Sequence, residues 1–363
     1  MTIHRRAFLA STTVPLFSLL AGLPGASQAE QALPARPVSD EAGINPGISG
    51  GLTQGVTQGV WHDARRSRDV PWRLRLPTPP ATGSAAVAES TAAAGQIPLI
   101  IFSHGLGGSL DGGTEWGQAW AAAGMATLHL QHAGSDRAIW AGGLRGVKAA
   151  ASVEQLVARC LDVRFAVEQL LQLQQTRDTA WARIRPDALG MSGHSFGAHT
   201  TLAVAGRRFP VRLAAELAEP RFKAFTAFSP AAGVSPEGLR AITRPMLCLT
   251  GSLDGDPLGQ ERSGNYRRAV YDTLPPGAKA QLWLEGADHM TFGGNGEPGA
   301  GLGQRLAGRR RPEAPQTLAA HHAAVIRSVT TDWWRAHLLD DSAAMARLRS
   351  PQGLKGEDSW QQG

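Results

Sequence analysis

The spacing of hydrophobic and polar positions changes several times along this chain, and each change predicts an element. Trp72-Arg73-Leu74-Arg75-Leu76 alternates apolar and polar residues, as a strand with one exposed face does. Residues 97–102 are apolar at nearly every position, which suits a central parallel strand covered on both faces. A helix is expected over 114–123, a strand over 126–130 and a long helix over 153–175. In that helix Leu156, Val157, Cys160, Val163, Val167, Leu170 and Leu171 recur at steps of three and four, so they share one face. Further strands are expected over 222–228, 245–250 and 280–285. A closing helix over 318–339 carries Val325, Val329, Trp333 and the pair His321 and His322. Alternating strands and helices predict an α/β fold on one parallel sheet, with ligands at the carboxyl ends of its strands.

Composition marks the limits of that domain. Residues 30–59 are rich in Gly, Pro and Ala without a sustained period and read as a flexible lead-in. The domain is therefore expected over 60–345, with 346–363 as a C-terminal tail. Residues 293–316 form a Gly- and Arg-rich insertion, either a flap over the site or a disordered segment. With 363 residues and 42% hydrophobic content the chain can build a sizeable core, and 6% aromatic content rests that core on Ala, Leu and Val.

The first 29 residues read as an export signal. A twin arginine, Arg5-Arg6, precedes Phe8-Leu9 and a modest apolar stretch from Val14 to Leu23, and Ser27-Gln28-Ala29 resembles a small-residue cleavage site. An apolar run of about ten residues falls short of the roughly 20 that span a bilayer. The twin arginine points to the bacterial twin-arginine route, and so to a periplasmic or secreted protein.

The net charge of +6 falls to +4 once Arg5 and Arg6 are removed, a mild excess that is not concentrated on one element as nucleic-acid binding would require. The sharp basic run, Arg309-Arg310-Arg311, reads as a solvated loop. Two cysteines, Cys160 and Cys248, allow at most one disulfide, and their helical and strand patterns favour two separate buried thiols.

Candidate chemistry gathers at the expected strand exits. Gly193-His194-Ser195-Phe196-Gly197 fits the G-x-S-x-G pattern of a nucleophile elbow, in which glycines permit a strained strand-to-helix turn that exposes the serine hydroxyl. That hydroxyl needs a base and an orienting acid. Leu249 to Asp254 reads as a buried strand running into an acid, and Gly286-Ala287-Asp288-His289-Met290 as a strand exit carrying a histidine. Ser195, Asp254 and His289 are the expected catalytic residues. Asp256 and Asp288 are the rival acids: Asp254 has the better loop position, and Asp288 is too close in sequence to face its neighbour's ring.

The glycine-rich turn Ser103-His104-Gly105-Leu106-Gly107-Gly108 offers the Leu106 N–H, and the elbow offers the Phe196 N–H, as oxyanion donors. Trp140, Met290 and Phe292 are candidates for substrate binding. His104, His129, His132, His194 and His199 flank these turns. No metal is expected, because H-E-x-x-H and paired C-x-x-C spacings are missing from the sequence, and no cofactor, because the glycine patterns of nucleotide sites are missing too.

The set SHGLGG (103–108), QHAGSD (131–136), GHSFGAHTT (193–201), TGSLD (250–254) and GADHMTF (286–292) resembles the predicted dienelactone hydrolase branch of the α/β-hydrolase superfamily, which is related to platelet-activating-factor acetylhydrolases and to bacterial lipases and cutinases. The resemblance runs from about Val60 to Leu339. It implies a mostly parallel eight-stranded sheet flanked by helices on both faces, with the triad on Ser195, Asp254 and His289. Enzymes that open dienelactones carry a cysteine at the elbow where this chain has Ser195. Polyester-degrading cutinases carry an aromatic residue and a glycine where it has Leu106 and Ala198. The expected function is hydrolysis of short-chain carboxylic esters through an acyl-enzyme on Ser195. Phospholipid-acetyl or polyester substrates, or a non-catalytic binding role on the same fold, are the alternatives.

Overall fold

The computed structural model describes residues 55–77, 97–175, 180–213, 215–233, 235–256, 263–277, 279–295 and 316–363. The expected export signal, most of the lead-in and nearly all of the 293–316 insertion lie outside these residues. Nine strands form one mixed sheet: β1 (Val56–Asp63), β2 (Arg68–Arg75), β3 (Ile97–Ser103), β4 (Ala126–Leu130), β5 (Ile184–His194), β6 (Phe222–Phe228), β7 (Met246–Leu253), β8 (Lys279–Asp288) and β9 (Ser359–Gln362). Their order is β1-β2-β4-β3-β5-β6-β7-β8-β9, with β3 to β8 parallel and antiparallel pairs β1–β2, β2–β4 and β8–β9 at the flanks.

Among the described residues the α-helices are α1 (Thr114–Ala122), α2 (Gly143–Ala150), α3 (Val153–Gln175), α4 (Phe196–Val204), α5 (Ala269–Thr273), α6 (Gln316–Leu338) and α7 (Ser342–Leu348). The apolar run that becomes β3 is divided between two cores by its two-residue period. Ile97, Leu99 and Ile101 join one hydrophobic cluster, and Ile100 and Phe102 join the other. In β7 the division repeats, with Met246 and Cys248 against Leu247 and Leu249. The first cluster takes Leu156, Cys160, Val163 and Leu170 of α3 and Leu202 of α4, and the second takes Trp116 and Trp120 of α1 with Val325, Val329 and Trp333 of α6. β3 is buried at every position because helices cover both faces of the sheet there.

The expected strands at 97–102, 126–130 and 222–228 and the helix at 153–175 match observed elements within a residue. Three expectations are corrected. The first strand begins at Val56, ahead of the expected domain start at 60. The sheet has nine strands and not eight. The expected tail, 346–363, is part of the fold: β9 pairs with β8 from Ala280↔Gln362 to Trp283↔Ser359, and Trp360 packs on the second cluster. Four mostly polar residues give too little periodicity to announce such a strand, which is held by its neighbour's edge. Cys160 and Cys248 are both buried and free. No helix among the described residues is long and apolar enough to cross a membrane.

Candidate active site

Because β3, β5, β6, β7 and β8 are parallel, their carboxyl ends share one edge of the sheet, and the motif residues leave from that edge. Ser195 follows β5, Asp254 follows β7, His289 follows β8, and the turn at 103–108 follows β3. The Ser195 hydroxyl lies 2.9 Å from Nε2 of His289, and Nδ1 of His289 lies 2.8 Å from Oδ1 of Asp254. These partners fix the tautomer: Nδ1–H donates to the carboxylate, which leaves Nε2 free to accept from the hydroxyl. The structure brings the three expected catalytic side chains into one hydrogen-bonded relay.

The elbow's glycines are required by close packing. A Cβ on Gly193 would run into the Gly197 carbonyl, and one on Gly197 would run into that of Ser103. Between them Ser195 has φ 56° and ψ −113°, a positive-φ conformation that costs a non-glycine residue of order 1–3 kcal/mol. This strain lifts the hydroxyl off the end of β5 while α4 begins at once with Phe196.

Asp254 is fully buried and its carboxylate is well supplied. Oδ2 accepts from Ser229 Oγ at 2.6 Å and from Thr250 Oγ1 at 2.9 Å. Arg267, only 2% exposed, places Nε 2.9 Å from both the main-chain oxygen and Oδ1 of Asp254. It also donates from Nη1 to the Ser229 carbonyl at 2.8 Å. Its Nη2 stands 3.2 Å from Nδ1 of His289, a contact between two donors rather than a hydrogen bond when Nδ1 carries the proton. Burial by itself would raise the Asp254 carboxyl, but the Arg267 guanidinium, His289 and the Ser229 hydroxyl hold it down at about 2. Asp254 is therefore ionised at neutral pH.

The rival acids have other places. Asp288 caps the turn at 289–292, accepting from Thr291 N at 2.9 Å while Thr291 Oγ1 accepts from Asp288 N at 3.1 Å. Asp256 lies in the same loop as Asp254, but the ring of His289 takes Asp254.

In the glycine-rich turn, the Gly107 N–H donates to the Ser135 carbonyl at 2.9 Å and the Gly108 N–H to that of Gly105 at 3.1 Å. Among the described residues the Leu106 N–H, just ahead of them, has no protein acceptor. Gly107 has φ 71° and lies against the Trp140 indole, whose Nε1 donates to the Gly107 carbonyl at 2.9 Å. The Phe196 N–H sits at the positive end of the α4 dipole. The arrangement can take a proton from Ser195 and offer main-chain donors to an anionic oxygen.

The remaining expected residues divide. Met290 is 38% exposed beside His289, whereas Phe292 is fully buried in the second core cluster with its carbonyl accepting from Trp116 Nε1 at 3.0 Å. Phe292 is thus corrected from substrate binding to core packing, since its ring has no surface to offer a ligand. His194, buried against the His289 ring, has Nε2 2.9 Å from the His289 carbonyl and so ties the elbow to the histidine loop. Burial pushes His194 and His199 down to about 3 and His129 and His132 down to about 4, which keeps all four neutral. A cavity of about 710 Å³ at the far end of α4, bordered by Arg207, Phe209, Glu216 and Arg244, touches none of the triad.

Arg267, Ser229 and Thr250 are functional candidates that the sequence did not announce. Arg267 is one of three arginines, with Arg262 and Arg268, that follow the acid-bearing strand, and nothing in the sequence tells it from a surface residue. Against known proteins, the chain matches no family model and no curated sequence.

Proposed function

We propose that this protein is a serine hydrolase of carboxylic esters on the α/β-hydrolase fold, working without a cofactor. The observation that carries the reading is the relay from Asp254 Oδ1 to His289 Nδ1 at 2.8 Å and from His289 Nε2 to Ser195 Oγ at 2.9 Å, at the carboxyl edge of a parallel sheet. Ser195 Oγ bonds to the ester carbonyl carbon as its proton passes to His289 Nε2. The former carbonyl oxygen takes the negative charge and accepts from the Leu106 and Phe196 N–H groups. The C–O bond then breaks, His289 gives its proton to the departing alcohol, and water hydrolyses the acyl-enzyme with His289 again as base.

An apolar ester suits the rim. Leu253, 46% exposed, precedes Asp254, and Met290 follows His289, so two large apolar side chains open to solvent flank the acid and the base. Trp140 walls the oxyanion turn. Short-chain carboxylic esters are the proposed substrates, and lipid-like acetyl esters and polyesters would use the same triad.

The test is turnover of a chain-length series of p-nitrophenyl esters by the mature protein, with Ser195→Ala alongside. Activity that peaks at short acyl chains and vanishes in the variant is expected. Retained turnover by a folded Ser195→Ala protein would overturn the reading. Export rests on residues 1–29 alone, and replacing Arg5 and Arg6 by lysine should leave the protein in the cytoplasm.

A further inference from the structure

Between the turn after β3 and the first turn of α4 lies a fully buried arginine, Arg159 of α3. Its guanidinium uses three of its edges on three different segments. Nη2 donates to the His104 carbonyl, Nη1 donates to Ser135 Oγ at 2.9 Å, and Nε donates to Thr200 Oγ1 at 2.9 Å. Its Cζ lies 4.8 Å from the centre of the Phe196 ring.

Each contact leads to a donor. His104 is two residues before Leu106. Ser135 holds the other side of Leu106, since its carbonyl accepts from Gly107 N at 2.9 Å. Thr200, one turn into α4, donates its own hydroxyl to the Phe196 carbonyl at 3.1 Å. The fork therefore ties the turn after β3 to the elbow after β5, two segments more than 80 residues apart. A planar guanidinium sets distance and angle together, which a lysine ammonium cannot.

The charge also needs a reason. Among the described residues, the neighbouring Asp162 forms ion pairs with Arg66 and Arg68 and a hydrogen bond with neutral His132, and no ion pair with Arg159. Burial pushes the Arg159 guanidinium down to about 9, so it stays cationic at neutral pH. Its hydrogen bonds all go to neutral acceptors and the Asp162 carboxylate acts on it only from a distance, so part of the burial cost is offset when an anion develops nearby.

Resting on the hydrolase reading, we infer that Arg159 is the positioning residue of the oxyanion hole: it fixes the Leu106 and Phe196 N–H groups relative to each other and lends its charge to the oxyanion. It touches no substrate. Losing it therefore acts on the tetrahedral state and leaves ground-state binding alone.

The test measures kcat and KM for p-nitrophenyl acetate, with active sites counted by a fluorophosphonate so that unfolded protein does not contribute. It also measures affinity for phenylboronic acid, which forms an anionic tetrahedral adduct on Ser195. Arg159→Lys should lower kcat about 100-fold with KM within about 2-fold. The milder Thr200→Val, which removes one end of the fork, should lower kcat about 10-fold, and Thr200→Ser should restore it. Boronic-acid affinity should fall in parallel with kcat. Unchanged kcat in the labelled variants, a loss carried by KM, or unchanged boronic-acid affinity would each overturn the inference. A wild-type protein that neither takes the fluorophosphonate nor turns over any ester would instead overturn the hydrolase reading.

Discussion

Arg267 grips Asp254 at two points, with Nε 2.9 Å from its main-chain oxygen and 2.9 Å from Oδ1, and both residues are almost wholly buried. The carboxylate that orients His289 is thus held from behind by a permanent cation. Removing one partner of a buried pair leaves an uncompensated charge, so Arg267→Met should lower the unfolding free energy by about 3–5 kcal/mol. The double variant Arg267→Met, Asp254→Asn should be less destabilised than the sum of the singles, by about 0.5–3 kcal/mol. Urea unfolding of the four proteins measures this, and strict additivity would contradict it.

Asp254 and Asp256 make opposite predictions for activity. Asp254→Asn turns an amide N–H₂ toward His289 Nδ1, because Ser229 and Thr250 claim its oxygen, and the tautomer this selects should reduce ester kcat by about 10³–10⁴-fold. Asp256→Asn should keep kcat within about 10-fold, because the His289 ring bonds to Asp254. Steady-state kinetics on one p-nitrophenyl ester decides between them.

The buried histidines predict acid sensitivity. Burial holds His129 and His132 at about 4 and His194 and His199 at about 3, below the 6.5 of an exposed imidazole. The unfolded chain therefore binds more protons as the pH drops. The stability is present above about 6.5 and is lost progressively from there down to the folded values of 3–4. Each histidine contributes a loss on the order of 1–2 kcal/mol between pH 7 and pH 5. Thermal unfolding should show a steep fall in Tm over that range, and a flat profile would count against the neutral assignment.

The C-terminal strand should matter to the site's frame. Asp358 accepts from His321 Nε2 at 2.7 Å and from Glu285 N at 2.9 Å, and β9 covers the outer edge of the strand that delivers His289. Deleting residues 358–363 should cost on the order of 2–4 kcal/mol and expose β8 to intermolecular pairing. Urea midpoints and light scattering of the shortened protein test both effects.

The apolar run at 97–102, the three- and four-residue steps of α3 and the glycines around Ser195 were legible in the sequence because they are local. Periodicity needs only neighbours along the chain, and the elbow's glycines report contacts within five residues and with the adjacent strand. The order of Ser195, Asp254 and His289 could be read because parallel strands deliver their exits to one edge, so chain order translates into proximity. Long-range packing was not legible. Phe292 and Met290 sit two residues apart beside the same histidine, yet one is core and the other rim, a division made by Trp116 of a helix 176 residues away. Arg159 and Arg267 look like any other arginines until the fold buries them against the turn at 103–108 and against Asp254. Strand β9 exists only because β8 offers it an edge. Local pattern and strand order were enough to say that Ser195, Asp254 and His289 would meet. The tertiary structure alone decided which charges are buried beside them, because burial and electrostatic coupling depend on distances that no local pattern encodes.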